Sequence, residues 1–163
     1  MNACNWLNEA EQHWVENRGY EAGVLICSHL PISAQPFWAA RILRLVMEKS
    51  GVSNPLLTEV EQAALTTQKW SSGHRLFSKV RDITLQHDRN SRRALEDDIL
   101  SYVLAVAEQT AKVTYNATSP FDAFDDDSCE WVVAMLRGVV SCYSDDRFGE
   151  QAWQVVCNGI KLS

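Results

Sequence analysis

Leu95, Ile99, Tyr102, Val103, Val106, Thr110 and Val113 keep a three-to-four-residue spacing across about five turns. Only an α-helix returns side chains to one face at that period; a strand would need strict alternation. The spacing predicts a helix over about 92–116, opened by Ser91 as N-cap. It commits the chain to an architecture that can bury a long apolar stripe.

The same periodicity divides the rest of the chain. Residues 5–18 form a helix stopped by Gly19, and residues 20–30 a short apolar one ended by Pro31. Pro36 suits the first position of a helix running to Gly51, where its missing N–H costs nothing. Apolar positions nearly encircle that helix, broken by Arg41 and Arg44, so it belongs at the centre. Thr58 and Glu61 have the spacing of a capping box opening a helix over 59–70. Ser71-Ser72-Gly73 breaks the chain before a helix over 74–87. Two more span 128–143 and 146–158, the last stopped by Asn158-Gly159. Only four prolines and seven glycines punctuate 163 residues, too few for an all-β domain. The expected fold is all-α, a single domain over 1–163: a helical bundle or α-hairpin stack of about eight helices without a significant sheet.

The five cysteines, Cys4, Cys27, Cys129, Cys142 and Cys157, are odd in number and lack a C-x-x-C pair. In apolar helices they read as small hydrophobes in a reducing compartment. The N-terminus has neither a basic n-region nor an apolar run. A cytoplasmic protein without membrane spans is expected.

Two charged stretches stand out. Asp122, Asp125, Asp126, Asp127 and Glu130 crowd five carboxylates into nine residues, flanked by Phe121 and Phe124. The alternating ligands of an EF-hand loop are missing, so no metal is expected. Acids here suit a helix N-terminus, and aromatics beside charge suit a protein-docking patch. Phe121, Asp122, Phe124, Asp125, Asp126, Asp127 and Glu130 are the binding candidates. The second stretch, Lys69 to Arg93, carries seven bases and two acids in a chain of formal charge −6. It reads as a solvated face. It also offers a route to head-to-tail homo-oligomers, and to nucleic-acid contact, which the acidic balance disfavours.

No catalytic residue emerges. His13, His29, His74 and His87 match no metal spacing, and no nucleophile elbow, P-loop or dinucleotide fingerprint occurs. Glu108 lies among apolar residues, with Lys112 four positions on as its expected ion-pair partner. No cofactor is implied.

Trp38-Ala39-Ala40-Arg41-Ile42-Leu43, a capped helix ending in Trp70, and Leu104-Ala105-Val106-Ala107-Glu108 together resemble the helical immunity proteins of bacterial toxin systems. The resemblance spans roughly residues 37–116. It implies a small acidic protein that neutralises a toxin by binding it, and it carries over no functional residues. The sequence thus favours a non-enzymatic module with a protein partner, of basic charge. Its alternatives are an enzyme with an inter-helical carboxylate and histidine site, and a nucleic-acid-associated factor using 69–93.

Overall fold

The computed structural model describes residues 3–66, 70–118 and 126–161. Among them are eight α-helices, one 3₁₀ turn and no strand, so the all-α expectation holds. In chain order they are α1 (Ala3–Val15), α2 (Gly19–Cys27), α3 (Gln35–Ser50), α4 (Pro55–Leu65), α5 (Trp70–Asn90), α6 (Leu95–Thr118), α7 (Ser128–Cys142) and α8 (Asp146–Lys161). The 3₁₀ turn, Ile32–Ala34, leads into α3.

One contiguous core holds the helices together. Helix α3 contributes Trp38, Ala39, Ala40, Ile42, Leu43, Leu45 and Val46 to it, as its near-continuous apolar surface requires. Helix α6 lies beside it and also packs against α4, α5 and α7. Of its predicted stripe, Val103, Val106, Thr110 and Val113 are buried, Ile99 and Tyr102 are half-buried, and Leu95 at the start of the helix is exposed. Thr110 and Thr114 satisfy their hydroxyls by donating to the carbonyls of Val106 and Thr110, four residues back. Helix α3 ends where Gly51 turns left-handed at φ 69°, a conformation that glycine adopts without a Cβ clash.

Several boundaries differ from the sequence expectation. The Thr58–Glu61 capping box does not form. Helix α4 starts a turn earlier at Pro55, and Asn54 Oδ1 accepts the Leu56 amide at 2.9 Å. Glu61 is buried and takes Arg44 of α3 instead, at 2.5 Å. Gly19 opens α2 rather than stopping α1; the reversal falls at Asn17, φ 63°. Ser71-Ser72-Gly73 lies inside α5. Ser91 Oγ accepts the Arg93 amide in the turn before α6, which begins only at Leu95. Asn158-Gly159 does not stop α8. A Cβ at Gly159 would overlap the Trp38 ring, so the missing side chain serves packing, not termination.

Cys27 and Cys129 form a disulfide joining α2 to α7, with Cα atoms 6.2 Å apart and a sequence separation of 102. The reading of these two as free hydrophobic thiols is corrected, and with it the argument from cysteine usage for a reducing compartment. Their spacing carries no motif; only the packing of α2 on α7 brings them together. No described helix is long and apolar enough to cross a membrane.

Candidate functional site

Helix α7 gathers the chemistry that the core does not absorb. Its N-terminus receives the acidic segment. Phe121, Asp122, Phe124 and Asp125 lie outside the described residues, whereas Asp126, Asp127 and Glu130 lie within them. Asp126 Oδ1 accepts the Ser128 amide at 2.8 Å and the Ser128 hydroxyl, and Oδ2 pairs with Lys112 at 3.2 Å. Burial pushes the Asp126 carboxyl up, but Ser128, Asn116 and Lys112 together outweigh it and hold the pKa below the ordinary value. Lys112 therefore serves Asp126, correcting its expected pairing with Glu108.

Asp127 stands at the N-cap position, yet its side chain makes no capping bond. Its Oδ2 accepts from Trp131 Nε1 at 2.9 Å and from Tyr20 Oη at 3.2 Å. The two rings pack at 5.0 Å between centroids. Glu130 is half-buried, and its buried Oε2 has no hydrogen-bond partner among the described residues. Burial raises its pKa, and the nearby Asp127 and Asp126 add to the rise.

From this end a groove of about 380 Å³ follows α7 past Trp131, Ala134 and Met135, walled by Tyr20 and Tyr102. It reaches Asn17, Arg137 and Ser141, which also line a second groove of about 560 Å³. The second groove lies between the end of α1, the end of α7 and the start of α8. Trp14 and Trp153 line it, with ring centroids 5.7 Å apart. Arg137 Nε donates to the Trp14 carbonyl at 2.8 Å, and its guanidinium sits 5.4 Å over the Trp14 ring. Burial lowers the Arg137 pKa. Glu11, Asp145, Asp146 and Glu150 add four carboxylates. Of these, Asp145 is committed to Lys49 at 2.7 Å, which holds its pKa down.

Sequence reasoning passed over this second groove because its residues come from three helices. A signal was present. Glu11-Gln12-His13-Trp14 and Glu150-Gln151-Ala152-Trp153 repeat one pattern, which puts an acid beside a tryptophan on a helix face. The fold then brings the two tryptophans together.

The remaining candidates are scattered. His13 lies beside Glu9 at 3.9 Å, His29 stacks on Trp6, His74 packs on Tyr115, and His87 bonds the Asp97 carbonyl at 2.9 Å. Glu108 lines a separate cleft between α5 and α6 with Arg81, Asp88 and Lys112, where burial raises its pKa. These groups occupy different surfaces. Among the described residues, no three His, Cys, Asp or Glu side chains are grouped to hold a metal. In the basic stretch, Arg75 pairs back to Glu59 on α4 and Arg81 turns toward Phe77. Lys69 lies outside the described residues.

Comparison with known protein families, with curated proteins and with solved structures finds no match.

Proposed function

We propose that this chain is a non-enzymatic helical binding protein that docks a basic protein partner along α7. One observation carries the reading: the two grooves share Asn17, Arg137 and Ser141 and so form a continuous concave face. Asp126, Asp127 and Glu130 lie toward one end and Glu11, Asp146 and Glu150 at the other. Trp131, 38% exposed, stands between them. Tryptophan within a concave, acid-rimmed surface has the make-up of an interface anchor with electrostatic steering. Of the described acids of the 121–130 segment, Glu130 belongs to the proposed surface, while Asp126 and Asp127 act chiefly as supports of α7. A toxin occluded by binding is the immunity-type form of such a partner.

The test is zero-length carbodiimide coupling to a partner co-purified from the native host. Coupling should join partner lysines to Glu11, Glu130, Asp146 or Glu150, and raised salt should suppress it. Coupling confined to carboxylates on α4, α5 or the start of α6 would refute docking along α7.

A further inference from the structure

We infer that the groove between α1, α7 and α8 receives a lysine or arginine side chain of the docked partner, laid against Trp153 among Glu11, Asp146 and Glu150. The inference rests on reading the α7 face as a protein-docking surface and names the group that enters it.

Three observations favour a cationic side chain. The first is the repeated acid–tryptophan pattern on two helices: it sets Glu11 and Glu150 around the half-buried Trp153, whose neighbour Trp14 is buried beneath Arg137. Tryptophan faces attract cations through their quadrupole, and flanking carboxylates strengthen the attraction. The second is a cation already held by the same chemistry at the edge of this groove. Lys49 Nζ lies 2.7 Å from Asp145, 5.0 Å from the Tyr143 ring centroid and 5.1 Å from that of Phe148. Tyr143 and Asp145 both line the groove. Lys49 occupies those two, whereas Glu11, Asp146 and Glu150 make no described ion pair with any base of the chain.

The third concerns shape. The carboxylates are not gathered tightly enough to cage a metal ion. They are spread around an aromatic wall, which suits a cation on an aliphatic stem: the stem lies on the rings while the head reaches an acid. Among the described residues, Arg137 is the one base lining the groove. It is held by the Trp14 carbonyl where the two grooves meet, so acids dominate the α8 side.

The experiment follows the indole N–H resonances of Trp14 and Trp153 by NMR in the full chain. Four capped amino acids are titrated: N-acetyl-lysine amide, N-acetyl-arginine amide, N-acetyl-norleucine amide and N-acetyl-glutamate amide. The two bases should give saturable shifts, with norleucine about tenfold weaker and glutamate without effect. E11Q/E150Q should lose about tenfold in affinity for the bases while melting like the unaltered protein. A single E150Q, on the exposed side of α8, serves if the double variant is destabilised.

Norleucine binding as well as lysine would overturn the inference. So would a preference for glutamate, undiminished affinity in the variants, or no saturable shift. If the probes fail while carbodiimide coupling still maps to α7, the groove assignment falls alone. If the probes bind but coupling maps elsewhere, docking along α7 falls and the cation site stands.

Discussion

Trp38 on α3 and Trp131 on α7 satisfy the same indole donor in opposite ways. Trp38 is 2% exposed and gives its N–H to the Val156 carbonyl at 3.0 Å, deep between α3 and α8. Trp131 is 38% exposed and gives its N–H to a carboxylate, Asp127, at 2.9 Å. The first tryptophan is fixed by a backbone group that no substitution removes and by a glycine that makes room for it. The second is held by one surface acid. The contrast extends along each helix. Helix α3 spends most of its surface on packing, whereas α7 keeps, among the described residues, a buried carboxyl oxygen on Glu130 without a partner and an arginine with no carboxylate partner.

The comparison breaks first at Trp38. Trp38→Ala should cost about 3–5 kcal/mol, through lost burial and the cavity left against Gly159. Thermal or denaturant unfolding measures it; a loss below about 1 kcal/mol would mean α3 is not the centre of the core. Helix α7 packs through Val132, Val133, Leu136, Val139 and Val140 and carries a tether besides. C27S/C129S should lose about 2–4 kcal/mol, because the link closes a loop of about 100 residues in the unfolded chain. Non-reducing peptide mapping must first recover the Cys27–Cys129 cross-link; recovery of both as free thiols would remove the tether from the comparison.

The smallest effects sharpen the contrast within α7 itself, because Asp126 and Glu130 should respond oppositely to pH. Asp126 has a lowered folded-state pKa. Its stabilisation is present above the ordinary aspartate pKa and is lost as pH falls through the lowered value. Asp126→Ala should therefore cost about 1 kcal/mol at neutral pH, fading in acid. Glu130 has a raised pKa. Its burial penalty is full above that value and absent below the ordinary glutamate pKa. Glu130→Gln should raise the melting temperature at neutral pH, with the gain vanishing as pH falls through that window. Melting curves of both variants across pH check the pair. The same sign for both would show that their environments do not differ as described.

Much of the fold was legible because helical periodicity is local. The stripe of α6, the encircling apolar surface of α3 and the span of α7 needed no knowledge of neighbours. The boundaries that went astray share one cause. Thr58, Gly73 and Gly159 have the local chemistry of helix ends, yet each lies inside a helix. Asn54 supplies an earlier cap in α4, and the Trp38 ring needs the space at Gly159. Of the candidate site, the acids of 122–130 were visible as a run of charge. That Asp127 would hold Tyr20 and Trp131 was not, because Tyr20 is 107 residues away.

The sequence by itself determined the helical class, the central place of α3 and the acidic entry to α7, since these follow from side-chain period and local charge. Tertiary structure alone decided the Cys27–Cys129 link, the Glu61–Arg44 pair and the meeting of Trp14 with Trp153. Each joins groups on different helices, and their distance apart is set by how the apolar faces pack. No local spacing encodes that distance.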